Sequence, residues 1–299
     1  MLKIIYHPAY LKYDFGPGHP FWPERAKEFL VKVKESGIKH QVVAPQKALD
    51  KDILLVHTKD YLGKVKKLAQ AGGALSIDTP VNKNVLEAAC YSVGGSILSC
   101  TLALDGDLAI NLLGGLHHAS SSTSSGFCIF NDHSIAIKKL QREKKIKKAM
   151  VIDLDVHAGQ GTQEIFYSDP TVFTISLHQD PRTLYPGTGF ADQKGEGKGA
   201  GFNLNIPLPP GTGEREYLQA LDKVLPLYKK FRPDILVLVL GADTYKHDPL
   251  ASFNLEISTY EKIGQRFSNK KPLAVMFAGG YSRDVPKIWL SFLRGLVKL

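Results

Sequence analysis

Residues 149–157 read Ala-Met-Val-Ile-Asp-Leu-Asp-Val-His, an apolar run that ends in two carboxylates and a histidine. Such a run is typical of a strand buried on both faces of a parallel sheet. In an extended chain alternate side chains point the same way, so Asp153, Asp155 and His157 would share one side. Burying these groups is costly unless something binds them, which favours a metal ion. The alternative is a capping Asp and a solvated His where the strand leaves the sheet.

Other apolar runs of strand length alternate with helical patterns on both sides of this segment. The predicted strands are Leu2–Tyr6, Leu108–Leu112, Ala149–Leu154, Val172–Leu177, Ile235–Leu240 and Leu273–Phe277. The predicted helices are Pro23–Glu35, Val85–Leu104, Asp132–Lys144, Glu214–Lys230, Ser258–Phe267 and Val285–Val297. This alternation predicts an α/β fold, a three-layer α/β/α arrangement around an open, mostly parallel sheet. Because no repeat or low-complexity linker divides the chain, we predict a single domain over residues 1–299.

Composition narrows the class of protein. Apolar residues make up 43% of the chain, which is ordinary for a globular protein with a core. No continuous apolar run approaches the roughly 18 residues of a membrane span, so we expect no membrane partner. The net charge of +9 could indicate an acidic partner, but we find no nucleic-acid-binding motif and favour solvated lysine-rich helix faces. Three scattered cysteines form no disulfide framework, and we expect a cytoplasmic location.

Polar groups also follow three other predicted strands. Asp243 comes three residues after the end of the run 235–240 and would point into the crevice outside the carboxyl ends of the strands. With Asp155 and His157 it would supply three ligands and leave a position open, as a catalytic zinc site requires. Alone, it would look like a helix N-cap. Residues 114–119 (Gly-Gly-Leu-His-His-Ala) and 277–281 (Phe-Ala-Gly-Gly-Tyr) follow two further strands. His117 and His118 could be metal ligands, an acid–base pair or solvated loop residues. A tyrosine after Gly-Gly, here Tyr281, is only weak evidence of a functional residue, because such turns are common.

Taken in order, these segments resemble the zinc-dependent histone deacetylase family, which includes acetoin-utilisation-type proteins and acetylpolyamine amidohydrolases of bacteria and archaea. The matching segments are 19–25 (His-Pro-Phe-Trp-Pro-Glu-Arg), 114–119, 125–128 (Ser-Gly-Phe-Cys), 131–132 (Asn-Asp), 153–157, 176–178 (Ser-Leu-His), 185–189 (Tyr-Pro-Gly-Thr-Gly), 241–244 (Gly-Ala-Asp-Thr), 248–249 (Asp-Pro) and 279–281. Each is weak alone, but together they follow the family's order over nearly the whole chain.

The resemblance implies an arginase/deacetylase-like fold and an amidohydrolase with one metal ion. Its ligands would be Asp155, His157 and Asp243, and the ion would be Zn²⁺, with Fe²⁺ or Mn²⁺ as alternatives because mixed carboxylate/imidazole sites are not selective by affinity alone. His118 would be the general base that takes a proton from water and later passes one to the leaving amine.

The resemblance also implies roles for the groups around the base. His117, held by Asp153, would act electrostatically. Tyr281 would donate its hydroxyl to the acyl oxygen, where it stabilises the oxyanion of the tetrahedral intermediate. Arg25 matches an arginine near an internal cavity through which acetate leaves. Gln160 stands where some members carry a carboxylate toward the His118 ring, so His118 should have a lower pKa here and stay neutral.

Further matches concern the substrate and a second cation. Gly126, Phe127 and Tyr185 match the walls of the family's narrow tunnel, although both aromatics could be ordinary core residues. Asp78 matches, loosely, a rim aspartate that holds the substrate backbone. Ser176 and Leu177 match positions of a structural monovalent-cation site, which implies K⁺.

The rival interpretations are poorer. A two-metal ureohydrolase would need a carboxylate two residues beyond Asp243, and that residue is Tyr245. A non-catalytic acyl-amine-binding or scaffold protein should have lost a ligand, the base or the tyrosine, and all are present. The substrate is expected to be acetyl-lysine in protein, with an acetylpolyamine or another small N-acyl amine as the alternative. The +9 charge disfavours a free polycation. The sequence does not indicate an oligomeric state.

Overall fold

Eight of ten strands form one sheet in this computed structural model, which describes residues 1–298. The strands are β1 (Leu2–Ile5), β2 (Gln41–Val43), β3 (Gly73–Ser76), β4 (Thr79–Val81), β5 (Leu108–Asn111), β6 (Ala149–Asp153), β7 (Val172–Gln179), β8 (Asn203–Leu208), β9 (Ile235–Leu240) and β10 (Leu273–Phe277). The large sheet has the order β2-β1-β5-β10-β9-β6-β7-β8, while β3 and β4 form a separate hairpin. Every neighbouring pair in the large sheet is parallel.

The helices lie between the strands in sequence. They are α1 (Arg25–Glu35), α2 (Asp50–Ile53), α3 (Lys59–Ala71), α4 (Lys83–Leu104), α5 (Asp132–Arg142), α6 (Gln160–Phe166), α7 (Glu214–Phe231), α8 (Ile257–Phe267) and α9 (Val285–Val297), with short 3₁₀ turns at Pro8–Lys12 and Gly197–Gly199.

Both faces of the sheet are covered. Along β9, Val237 and Val239 enter one apolar cluster, which also contains residues of α4 and α5. Leu236 and Leu238 enter the other cluster, together with residues of α1, α7, α8 and α9. All six β9 side chains are buried. This alternation between two buried faces explains the continuous apolar runs of the central strands and confirms the predicted three-layer α/β/α class.

All six predicted strands and all six predicted helices are present, with ends that shift by up to two residues. The prediction missed β2, β3, β4 and β8, and also α2, α3 and α6. The edge strands β2 and β8 carry polar or exposed side chains and so lack a continuous apolar run. For α3 the signal was present: Thr58 caps the helix by accepting from the Tyr61 amide at 3.2 Å, and apolar residues recur at helical spacing.

Helix α4 is unusually long and apolar. By length and composition α4 is apolar enough to cross a membrane, although the sequence contains no continuous apolar run of that length. However, 61% of its most apolar 18-residue stretch is buried inside the protein. The helix packs against α5 and β5, as a core helix does.

Because the strands run parallel, their carboxyl ends meet at one edge of the sheet. The segments after β5, β6, β9 and β10 therefore converge there. These are the four segments in which polar groups follow predicted strands.

Candidate active site

The residues predicted as metal ligands do come together. Nδ1 of His157 lies 3.0 Å from Oδ1 of Asp155 and 3.4 Å from Oδ2 of Asp243. Candidate ligand atoms of the three residues all lie within 4.8 Å of one another, and all three side chains are buried. Strand β6 ends at Asp153, so simple alternation does not carry as far as His157. Instead, a turn brings the histidine back, and its amide donates to Asp155 Oδ1 at 3.0 Å.

The three groups fit a divalent cation. Among residues 1–298, Oδ2 of Asp243 is a buried carboxylate oxygen with no hydrogen-bond partner. Burial and the neighbouring Asp155 raise the pKa of Asp243 to about 8. Two buried carboxyl groups crowd one imidazole, and the raised pKa of Asp243 indicates that negative charge is not fully balanced there, which a cation would achieve.

Glycines provide the space beside these carboxylates. A Cβ at Gly279 would lie less than 3.0 Å from oxygens of both Asp155 and Asp243, and a Cβ at Gly241 would also be too close. The Gly279 amide donates to Asp155 Oδ2 at 2.9 Å, while the Val156 amide donates to Asp243 Oδ1 at 3.0 Å. Backbone amides thus hold both oxygens of Asp155 and Oδ1 of Asp243, while Oδ2 of Asp243 faces the shared centre without an amide donor.

His117 is held as the sequence predicts. Its Nδ1 lies 2.6 Å from Asp153 Oδ2, and both side chains are buried. Burial lowers the pKa of His117, but the carboxylates of Asp153 and Asp155 outweigh this effect and raise it to about 9. His117 is therefore cationic near neutral pH in this arrangement.

His118 has the opposite character. Its Nδ1 lies 2.6 Å from Oε1 of Gln160, and the amide nitrogen of Gln160 donates in turn to Ser125 Oγ at 3.2 Å. Because an amide oxygen can only accept, it fixes the tautomer with hydrogen on Nδ1 and leaves Nε2 unprotonated. Burial, followed by the positive charges of His117 and His157, holds the pKa of His118 well below its ordinary value. His118 therefore presents a neutral imidazole to the cavity, with its Nε2 3.1 Å from Nε2 of His117.

Tyr281 lines the same cavity as the two histidines and Asp155. Its amide donates to Asp248 Oδ2 at 2.7 Å, which anchors the turn after β10. Burial, together with the negative charges of Asp155 and Asp243, raises the pKa of Tyr281 well above its ordinary value. The hydroxyl therefore remains a proton donor.

Arg25 lies at the inner end of this cavity. Its Nη1 donates to the carbonyl oxygen of Gly280 at 2.8 Å, and its guanidinium stacks over the rings of Phe21 and Trp289. The residue is only 2% exposed, and burial lowers its pKa to about 10. Arg25 keeps a positive charge near the site and supports the turn that carries Tyr281.

The predicted substrate residues gather at the outer end. The Phe127 ring lies 5.7 Å from the Tyr281 ring, and the Tyr185 ring lies 5.1 Å from His118. Tyr185 is 43% exposed, so it is not an ordinary core aromatic. Asp78 is also at this end, where its Oδ2 accepts from the Gly126 amide at 3.1 Å. Asp78, which matches the family's rim aspartate only loosely in sequence, thus lies beside the predicted aromatic wall.

Several positioning residues were not predicted to have a role. Asp132 is fully buried and accepts from the amides of Gly115 at 3.0 Å and Leu116 at 2.7 Å, which fixes the turn before the two histidines. Asp248 anchors Tyr281 in a similar way. Both residues lie in segments that match the family pattern, 131–132 and 248–249, and this match is the sequence feature that could have identified them.

Two predicted cation-site residues lie on β7. Ser176 pairs with Asp153 in the parallel register, and its hydroxyl lies 2.7 Å from His178 Nδ1. Leu177 is buried in the core. Strand register thus brings Ser176 beside the β6 end that leads to the metal triad.

An open parallel α/β sheet that presents histidines, carboxylates and a tyrosine at its carboxyl edge is the arrangement expected of a metal-dependent hydrolase. The sequence model of the histone deacetylase domain family matches residues 19–296 of this chain. The chain is 38% identical to a probable deacetylase of Methanothermobacter thermautotrophicus, covering 99% of this chain and 90% of that protein. It is 37% identical to the acetoin utilization protein AcuC of Bacillus subtilis, covering 96% and 79% respectively. A crystal structure of acetylpolyamine aminohydrolase from Burkholderia pseudomallei superposes with a TM-score of 0.88 at 26% identity, covering 99% of this chain and 98% of that one.

The chain belongs to the histone deacetylase family. It is a hydrolase that acts on linear amides, and the family is metal-dependent. The predicted family, fold and enzyme class are thereby confirmed. The roles of individual site residues, the identity of the metal and the substrate stay predictions.

Proposed function

We propose that this chain removes the acetyl group from acetyl-lysine in proteins, with one zinc-type ion held by Asp155, His157 and Asp243. The observation that supports the proposal is that, within residues 1–298, the buried Asp243 Oδ2 has no hydrogen-bond partner and lies 3.4 Å from Nδ1 of the neighbouring candidate ligand His157. When bound, the ion supplies Lewis acidity that activates water and polarises the acyl carbonyl. The chemistry of one imidazole and two carboxylates suits Zn²⁺, Fe²⁺ or Mn²⁺.

His118 is the proposed general base. Gln160 holds its Nδ1–H, so the lone pair on Nε2 accepts the proton from the attacking water. The same atom then delivers a proton to the departing lysine amine. Since the pKa of His118 is held low, the imidazole is in its basic form at neutral pH.

His117 and Tyr281 are proposed to stabilise the charge that develops in the reaction. His117 stays cationic because of Asp153, and its Nε2 faces that of His118. The Tyr281 hydroxyl stays protonated and donates to the acyl oxygen as negative charge develops there. Arg25 adds positive charge at the inner end, where the released acetate would pass.

Acetyl-lysine in a polypeptide is the proposed substrate. Phe127 and Tyr185 would enclose the methylene stem, and Asp78 would hold the substrate backbone at the rim. Ile77, next to Asp78, is completely exposed and offers an apolar contact to residues beside the acetyl-lysine. A net charge of +9 would slow the capture of a free polycation.

The second candidate is an acetylpolyamine or another small N-acyl amine. The structural similarity to the Burkholderia pseudomallei acetylpolyamine aminohydrolase favours this alternative. Both substrates present an amide on a flexible stem, so the same groups would act on either.

A direct comparison of the two substrates tests the proposal. Acetate release is measured from an acetyl-lysine peptide and from N-acetylputrescine, with the zinc-, iron- and manganese-loaded enzyme. We expect a higher kcat/KM on the peptide and loss of both activities in Asp155→Ala. Asp222→Asn, which changes an exposed carboxylate, is the control and should remain active. A higher kcat/KM on the acetylpolyamine would overturn the substrate, and full activity of Asp155→Ala would overturn the metal site.

Three remaining features complete the proposal. K⁺ is proposed near Ser176 and Leu177 as a structural ion. Residues 1–299 are proposed to form a single catalytic domain that works in the cytoplasm. The three cysteines of the chain are free and buried, in keeping with a reducing compartment.

A further inference from the structure

A second surface lies at the opposite edge of the sheet. Strands β10, β9 and β6 are neighbours, and a basic connection precedes each of them: lysine-rich loops before β10 and β6, and the last turn of α7 with Arg232 before β9. Because the strands are parallel, these three loops meet at their amino ends. We call this surface the basic platform, and it consists of Lys144, Lys145, Lys147, Lys148, Lys229, Lys230, Arg232, Lys270 and Lys271.

Hydrogen bonds join the three loops into one surface. Oδ2 of Asp234 accepts from the amides of Lys147 at 2.7 Å and Lys148 at 2.8 Å. The hydroxyl of Tyr228 donates to the carbonyl oxygen of Lys271 at 3.0 Å. The side chains of the platform therefore project from a fixed backbone.

The platform is strongly positive. All of its residues are exposed except Lys270, which is half-buried with its Nζ 5.9 Å from the centre of the Tyr228 ring. Within residues 1–298, Lys145 is the one member in an ion pair, at 2.9 Å from Glu143. The acidic residues of these loops are Glu143 and Asp234, far fewer than the cations. Much of the net charge of +9 is thus concentrated on the basic platform.

An aromatic groove adjoins the platform. Its walls are the rings of Phe173, Phe202 and Phe231, whose centroids lie 5.5 to 6.1 Å apart. Lys148 and Lys230 also line the groove, and Nζ of Lys148 lies 5.1 Å from the centroid of Phe231. Its volume of about 420 Å³ is that of a small-ligand pocket. The groove combines aromatic faces with cationic side chains.

We propose that the basic platform and its groove bind single-stranded nucleic acid. Exposed lysines contact successive phosphates, while aromatic side chains receive a base, and this is the combination by which proteins hold single strands without sequence preference. Lys230 and Phe231 of the groove belong to segment 228–232 (Tyr-Lys-Lys-Phe-Arg), in which aromatic and cationic residues are neighbours in sequence. A duplex would engage the lysines but keeps its bases stacked, so it would leave the groove unused.

Binding at the platform leaves the catalytic cavity open. The platform lies at the amino ends of the strands, and the cavity at their carboxyl ends. Strand β6 alone separates the two edges by roughly 15 Å, at about 3.3 Å per residue. The two activities can therefore be measured independently.

Fluorescence anisotropy with a labelled oligothymidylate of about twenty nucleotides tests the proposal. We expect a Kd between about 10⁻⁶ and 10⁻⁴ M near physiological salt. With about four phosphate contacts, log K should fall against log salt with a slope of about −3. The double variant Lys148→Glu/Lys230→Glu should weaken binding by about tenfold or more, whereas deacetylase activity stays at the wild-type level. The matched control is Lys64→Glu/Lys67→Glu, which reverses two exposed lysines of α3 and should bind as the wild type does.

Stacking of a nucleobase in the aromatic groove is measured separately, with an abasic strand. An abasic strand with the same number of phosphates should bind at least about fivefold more weakly, since stacking contributes for each base held. Four results would overturn the proposal: no binding by the wild type, equal losses in the two double variants, equal affinity for the abasic strand, or equal displacement by polyglutamate of the same charge. The last result would identify an acidic protein segment as the occupant instead.

Discussion

The amide of Gln160 sets the pH range in which His118 can act, and Gln160→Glu tests this directly. In the wild type the amide oxygen lies 2.6 Å from His118 Nδ1 and carries no net charge. A carboxylate at the same place would sit about 4 Å from the centre of the imidazolium charge. At an effective dielectric constant of about 20, that pair is worth ~4 kcal/mol. Since one pKa unit corresponds to about 1.36 kcal/mol, the upper bound on the shift is about 3 units.

The sign of the effect follows from the role of the base. A neighbouring carboxylate favours the protonated imidazole, so the pKa of His118 rises, and protonated His118 cannot accept a proton. We expect the acid limb of kcat/KM to move to higher pH by about 1–3 units in Gln160→Glu, within the bound set by the Coulomb energy. The variant still accepts from Nδ1–H, so the tautomer is retained.

The assay is the pH profile of kcat/KM on an acetyl-lysine peptide at constant ionic strength. Gln163→Glu is the matched control, because it makes the same chemical change one turn farther along α6, where the side chain bonds to Asn203, Asn205 and Gln193. Its acid limb should move much less. An acid limb that stays in place or moves to lower pH in Gln160→Glu would refute the assignment of His118 as the base.

Three further changes address the rest of the site. Tyr281→Phe removes the hydroxyl proposed to stabilise the oxyanion, so steady-state kinetics should show kcat reduced by about 10²–10³ with little change in KM. A KM raised by as large a factor as kcat falls would contradict this role. Gly279→Ala places a methyl group against the ligand carboxylates, and calorimetry should show zinc affinity reduced by about 10–100-fold with the fold intact by circular dichroism. Asp132→Ala leaves two buried amides without an acceptor, so urea unfolding should show a loss of about 2–4 kcal/mol; an unchanged midpoint would show that water replaces the carboxylate.

The central strands could be predicted because burial on both faces leaves a direct mark on the sequence. The bounds of β9 and β10 agree with their apolar runs, and α9 also has the predicted ends. Edge strands leave no such mark. Strand β8 carries Asn203 and Asn205, whose amides bond to Gln163, so its polar alternation does not resemble a buried strand.

The candidate site was predictable where it directly follows strands. Asp155, His157 and Asp243 each lie just beyond an apolar run, and the sheet topology brings those ends together. The supporting groups were harder to find. Asp248 reaches the Tyr281 amide from another loop, and no spacing in the sequence reports a contact between positions that far apart.

The triad itself is the central claim, and a zinc titration of chelator-treated protein tests it most directly. Calorimetry and elemental analysis should give one zinc per chain, and X-ray absorption should show one imidazole and oxygen ligands around it. Asp243→Asn should lose this binding. A protein that takes up no zinc, or an Asp243→Asn variant that binds it as the wild type does, would contradict the account.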